Sequence, residues 1–353
     1  MIAWFRYICL IVSLIITLPE LLSAQRLVSQ RQEDVEAGLL YNESVYILSN
    51  YSCLSSNSPE KLSLDELLRK QIEGFYFYLK RDTETNVLLL RKPDGTFTPF
   101  SESLEAIKTA LDADSTKVMT LFLDFYVEME LESSFKEIGL MEYVLEYDTK
   151  NGWPSLKDML SSGKRLVVFE VQKHLNSPSW LHNMRDFVEH TDADWGNQPE
   201  GVESFDERLK KNLSLFTGYK FLETSRGNSN DISALARQTP YLIESFKRAW
   251  IRDGRVPNFV LVDKYYAWLD VSLVTFRNFD IIYGAVTNNN ELLNYVNWDG
   301  MSNYTTGKYC FPLEPGAELM LSPISPGYRI EPATVYISGN QRKAFASEFK
   351  ARP

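Results

Sequence analysis

The sequence predicts an α/β fold, a single irregular TIM (β/α) barrel followed by a C-terminal extension. Three observations predict it. Apolar runs of strand length alternate with amphipathic stretches of helical spacing over most of the chain. Most of those runs are apolar at consecutive rather than alternate positions, as parallel strands covered on both faces are. No G-x-G-x-x-G follows an early run and no P-loop occurs, which takes weight from the nucleotide-binding open sheets.

Taken in order, strands are expected at Val45–Asn50, Gly74–Lys80, Val87–Arg91, Val118–Tyr126, Arg165–Val171, Lys220–Glu223, Asn258–Tyr265 and Ile281–Val286. Between them, Ser63 and Glu66 form a capping box ahead of Leu67 and Leu68. Leu104, Ile107 and Leu111 recur at helical spacing. Pro154 and Ser155 open a further helix, which Gly163 closes. The segment from Trp180 to His190 reads as one more helix. Residues 297–341 are rich in Gly, Pro, Asn and Ser and predict an irregular or β-rich extension over 297–353, so the barrel is expected over 25–296.

Residues 1–24 read as a signal peptide. Arg6 supplies the positive region, Ile8 to Leu18 the apolar run, and Leu22-Ser23-Ala24 a small-residue cleavage site. About a dozen apolar residues fall short of the roughly 20 that span a bilayer. The mature chain is therefore expected to be secreted, periplasmic or extracellular, without a transmembrane helix. In such a compartment Cys53 and Cys310 are either a disulfide pair or two buried thiols, and the sequence leaves both open.

The 353 residues carry 37 basic and 47 acidic side chains, a formal net charge of −10. That balance argues against nucleic acid as a partner, because phosphate backbones are held by clustered Lys and Arg. Hydrophobic residues make up 44%, enough for a packed core. Aromatic residues are abundant, with 19 Tyr and 20 Phe, whereas His occurs three times, at His174, His182 and His190.

Several stretches resemble the phosphatidylinositol-specific phospholipase C-like phosphodiesterases. The most specific is Trp153-Pro-Ser-Leu-Lys-Asp-Met-Leu-Ser-Ser-Gly-Lys-Arg-Leu-Val-Val-Phe169, preceded by Gly139-Leu-Met-Glu-Tyr-Val144. Ser103–Lys108 with Lys117–Asp124, Asn258–Asp263 and Tyr41–Tyr46 extend the likeness over roughly residues 40 to 300. The resemblance implies an irregular TIM barrel and phosphodiester cleavage in lipid metabolism. Two His act there as base and acid, and an Arg, or calcium in the eukaryotic branch, stabilises the phosphoryl charge.

Carried over by position, that machinery is replaced. The first His corresponds to Asn50, the Arg to Glu73, the strand-two Asp to Tyr78, the calcium-ligand Glu to Tyr76 and the second His to Arg91. Asp124 and Asp263 survive at expected strand ends. An amide and a guanidinium cannot exchange protons near neutral pH, and a carboxylate repels a phosphodiester. The expectation is a phosphoric diester hydrolase family member that has become a pseudoenzyme, serving as a binding or scaffold module for a polyol, a lipid headgroup or a partner. Its ligand is expected at Tyr76, Tyr78, Asp124 and Asp263. The alternative is an active phospholipase C-like hydrolase using His174, Asp124 and Asp263, and calcium enters only in that alternative. No metal site and no cofactor are expected otherwise. His182 and His190 are expected at the surface or at helix ends.

Overall fold

The computed structural model describes residues 31–49, 51–53, 63–69, 72–126, 131–191, 215–218, 247, 250, 251, 258–262, 279–299, 304–305, 307–339 and 343–353. The leader 1–24, the run at Lys220–Glu223, Asn50 and Asp263 lie outside the described residues.

Eight parallel strands form the main sheet. They are β1 (Tyr46–Ser49), β2 (Gly74–Arg81), then, after a hairpin of β3 (Leu88–Arg91) and β4 (Phe97–Pro99), β5 (Met119–Asp124), β6 (Leu166–Glu170), β7 (Leu181–Asn183), β8 (Val188–Thr191), β9 (Leu215–Gly218) and β10 (Phe259–Val262). Their spatial order is β7-β6-β5-β2-β1-β10-β9-β8. Each strand but β7 therefore lies beside the next parallel strand in the chain, and β10 returns to lie beside β1. That is the winding order of a barrel and not of a doubly wound sheet. Among the described residues the ladder is not closed between β7 and β8, which helix Met184–Phe187 joins.

The sheet curls strongly. Phe259 on β10 lies 5.2 Å from Phe122 on β5 and 6.1 Å from Phe169 on β6, ring centre to ring centre. Those strands are three and four positions away along the sheet, where a flat sheet at about 4.8 Å per strand would hold them roughly 14 and 19 Å apart. Tyr46, Phe122, Phe169 and Phe259 thus fill an interior. The opposite face of β2 presents Phe75 and Phe77, and Phe77 packs on Phe100 at 6.1 Å.

The helices follow their sequence signals. In α1 (Leu64–Arg69) the Ser63 amide donates to Glu66 Oε2 at 2.7 Å and the Glu66 amide to Ser63 Oγ at 3.3 Å. In α2 (Phe100–Ala113), Leu104, Ile107 and Leu111 are fully buried. Helix α3 spans Leu131–Ile138. In α4 (Leu156–Ser162), Ser155 accepts from the Asp158 amide and Gly163 turns left-handed at φ 74°. The Asn258 side chain donates to Ser44 O at 2.9 Å, tying the entry of β10 to that of β1.

Two strand expectations and one helix expectation change. Val87–Arg91 is an antiparallel arm of a hairpin, because Asp82 and Thr85 bond at 2.6 Å and Asn86 takes φ 58°, turning the chain back on β2. The segment from Trp180 to His190 is not one helix. It makes two short parallel strands around the four-residue helix, and His182 is core, only 4% exposed. Ile281–Val286 lies outside the parallel sheet, within β11 (Asp280–Asn288).

Among the described residues the elements after β11 are all strands: β12 (Glu291–Leu292), β13 (Val296–Trp298), β14 (Tyr304–Thr305), β15 (Lys308–Leu313), β16 (Glu318–Leu321), β17 (Pro323–Ile324), β18 (Arg329–Glu331), β19 (Val335–Ser338) and β20 (Lys343–Arg352). β11 pairs in parallel with β20 and antiparallel with β15, over a separate core of Trp298, Tyr309, Phe311 and Phe349. Cys310 is a free thiol here. It is buried, accepts the Trp250 indole N–H at 3.1 Å, and burial pushes its pKa up to about 12. The disulfide reading with Cys53 is therefore not the one the structure adopts. Among the described residues no helix is long and apolar enough to cross a membrane.

Candidate functional site

Ladder register decides which side chains meet at the carboxyl ends of the parallel strands. Tyr76 is paired with Phe122, and Tyr78 with Asp124. Alternation then places Tyr76, Tyr78 and Asp124 on the interior face with Phe122. The Tyr76 hydroxyl donates to Asp124 Oδ2 at 2.7 Å. Asp124 is 9% exposed, and its Oδ1 is buried with no hydrogen-bond partner. The Tyr126 ring stands 6.2 Å from that of Tyr78 and is 70% exposed at the rim. The structure thus brings together three of the four residues expected to hold a ligand, and Tyr126 joins them. The fourth, Asp263, lies outside the described residues. Tyr126 closes the expected strand Val118–Tyr126 but was not singled out, although period-two continuation from Asp124 places it on the same face; the observed strand ends at Asp124.

The positions carried over from the catalytic machinery do not converge. Glu73 precedes β2 at its amino end, about five residues or roughly 16 Å of strand from Tyr78. Its carboxylate is buried, takes the Arg31 guanidinium, and accepts the Ile47 amide at 3.3 Å. Arg31 also reaches Asp34 and sits 4.8 Å from the Tyr46 ring centre. Glu73 is therefore an anchor for the segment 31–36 and no part of the mouth, and the one-to-one transfer fails there. Tyr76 is the strand residue that faces Asp124. Arg91 is exposed at the end of the hairpin strand β3, where its carbonyl accepts from Ser52 Oγ at 2.9 Å. Ser52 in turn accepts the Tyr78 amide at 2.8 Å, so it pins the hairpin to β2.

His174 has a carboxylate partner, but not Asp124. Glu170 is in register with Asn183, and Leu123 with Glu170, so Glu170 and Asp124 point to opposite faces of the sheet. The Glu170 carboxylate is 1% exposed. It accepts from His174 Nδ1 at 3.1 Å, Ser177 Oγ at 2.5 Å and Asn183 Nδ2 at 3.3 Å. The His174 ring stacks on Phe125 at 4.4 Å, nearly parallel. The trio of His174, Asp124 and Asp263 is consequently not assembled around His174. His182 faces the interior among Trp153, Phe169 and Phe187, with Nε2 3.2 Å from Leu145 O. Burial holds its pKa below the usual histidine value, so it stays neutral. His190 lies on β8.

Calcium does not fit this donor set. The position that would supply a carboxylate is Tyr76, whose phenol donates a hydrogen bond to Asp124 instead of offering an anionic oxygen. No cluster of three metal-ligating side chains occurs among the described residues. What the mouth holds is one buried carboxylate oxygen without a hydrogen-bond partner, next to tyrosine rings.

A family model described as PI-PLC X 1 matches residues 90–199, the span from Leu90 through β8 that contains Asp124, Glu170 and His174. Among solved structures, the chain is similar to a point mutant of the phosphatidylinositol-specific phospholipase C from Staphylococcus aureus, at 13% identity over 70% of this chain and 97% of that one, with a TM-score of 0.43. It is similar as well to the phosphatidylinositol-specific phospholipase C from Listeria monocytogenes, at 12% identity over 69% and 98%, with a TM-score of 0.42. No curated protein matches the chain. The family-model match makes this chain similar to the PI-PLC X family over residues 90–199 of its 353.

Proposed function

We propose that this chain is a secreted, catalytically degenerate member of the phospholipase C-like phosphodiesterases that binds a small polar ligand, a polyol or a lipid headgroup, at the barrel mouth without cleaving it. The observation that carries the reading is the arrangement around Asp124. A buried carboxylate keeps one oxygen without a hydrogen-bond partner, tyrosines stand beside it, and neither His174 nor His182 is bonded to it. Cleavage of a phosphodiester needs a base for the attacking hydroxyl and an acid for the leaving oxygen. The neutral, packed His182 and the Glu170-bound His174 do not supply that pair beside Asp124. The leader expected at 1–24 supports export, and the extension, whose sheet takes in β11 as well as strands of 297–353, is an accessory unit of the same secreted chain.

One observation favours the hydrolase alternative. His174 is oriented through Nδ1 by a buried carboxylate, the arrangement that prepares an imidazole for proton transfer. Equilibrium binding of headgroup ligands, measured beside turnover of a chromogenic phosphodiester with and without calcium, separates the two. Binding without turnover is expected. Turnover that His174→Ala abolishes establishes the hydrolase, and absence of both binding and turnover removes the ligand-site reading.

A further inference from the structure

His182 is the middle residue of β7, the strand at one end of the sheet order, and the helix Met184–Phe187 carries the chain from β7 to β8. Its buried imidazole packs on Phe169 at 5.7 Å, on Trp153 at 5.6 Å and on Phe187, the last residue of that helix, at 5.6 Å. Asn183, the next residue, works on the other face of the sheet. Its Oδ1 accepts the Arg185 amide at 3.0 Å and caps the helix, while its Nδ2 donates to the Glu170 carboxylate that holds His174. Lys173, beside His174, reaches Asp186 on the same helix at 3.4 Å. The short helix therefore ties the His182 ring to the loop after β6.

A further proton on His182 puts a cation among these rings and out of water, where charge is costly. Burial is the largest effect on its pKa and lowers it, opposed by the Leu145 carbonyl and the charge of Glu146. Behind Trp153 and Phe187 lies Tyr147, with ring centres 4.8 Å from each. Arg185 and Asp186 are exposed on the helix, and Glu170 follows Phe169 on β6, so it faces away from the ring. We propose that residues 181–188 form an acid-operated latch, in which protonated His182 expels Phe187, the helix lets go, and Asn183 releases Glu170 and the His174 loop. In the released form the ring meets water and its pKa recovers toward the ordinary value near 6.5. The latch is thus shut above about pH 6.5 and opens as pH falls through the lower value of the closed form.

Amide hydrogen exchange of the mature protein at about pH 7 and about pH 5, read by mass spectrometry and expressed as protection factors, tests the latch. Protection of the 181–191 peptide is expected to fall about tenfold between the two, and that of the peptide holding His174 to fall with it, while α2 keeps its protection. His182→Gln retains an N–H for Leu145 O and has no titrating ring, so its 181–191 protection is expected to be equal at both pH values. If that variant does not fold, the comparison of 181–191 with α2 in the unaltered chain decides alone. An unchanged 181–191 peptide, or a fall shared equally by α2, overturns the latch, and so does a fall that persists in His182→Gln. A fall at 181–191 without one at His174 overturns the release of the His174 loop.

Discussion

Glu170 holds His174 in place, its Oε2 3.1 Å from the imidazole Nδ1, and it does so on the face of the sheet opposite Asp124. The same carboxylate gathers Ser177 and Asn183, so it organises the loop that follows β6. Glu170→Ala strips the acceptor from three side chains at a buried site and is expected to cost about 3 kcal/mol. His174→Gln, which removes a single donor, is expected to cost about 1 kcal/mol. Urea denaturation of the two variants checks the ordering, and a Glu170→Ala loss under about 0.5 kcal/mol contradicts the role given to this carboxylate.

Arg31 and Glu73 make a buried ion pair at the amino ends of the strands. Arg31→Met leaves a buried carboxylate without that guanidinium and is expected to destabilise by about 3–5 kcal/mol. Replacing both partners, Arg31→Met with Glu73→Leu, is expected to restore most of the loss, because no stranded charge remains. Equal losses in the single and double variants would show that the pair is not coupled.

Gly74 is required by distance and not by backbone angle. A Cβ there would lie 2.2 Å from Thr120 O and 2.5 Å from Leu48 Cδ2, between three hydrogen-bonded strands. Gly74→Ala must part β2 from β5 and is expected to cost about 3 kcal/mol or more. Gly95, at φ 84° with open space around it, tolerates Ala at about 1 kcal/mol of backbone strain. Thermal melts of the two variants report the difference.

His182 makes stability depend on pH. Burial lowers its folded pKa below the ordinary value near 6.5, so the unfolded chain takes up the proton first. Its contribution is fully present above pH 6.5 and is lost as pH falls from there through the folded pKa, at up to about 1.4 kcal/mol per pH unit. His182→Gln is expected to flatten that part of the profile between pH 6.5 and 5. An unchanged slope assigns the dependence to other groups.

The parallel winding, the capping box at Ser63, the N-cap at Ser155 and the buried stripe of α2 were legible in the sequence, since each rests on local spacing. The fate of Val87–Arg91 was not, because an apolar run does not say whether the next strand runs parallel or turns back. Asp82 and Thr85 decide that through a turn. The core place of His182 was hidden because Trp180 to Phe187 mimics an amphipathic helix until the neighbouring strand β6 captures its first residues. At the site, Asp124, Tyr76 and Tyr78 were legible from strand parity. The misplacement of Glu73 came from aligning it one residue ahead of the strand, and Arg31, its partner 42 residues away, leaves no local signal.

Phosphorus NMR of short-chain phosphatidylinositol held with an equal concentration of the mature protein tests binding without cleavage most directly. A headgroup that is bound but not cut leaves a single phosphodiester resonance, shifted or broadened, with no second signal over many hours, with or without calcium. A cyclic or monoester phosphate resonance that grows with time, and fails to grow with His174→Ala, contradicts the loss of catalysis.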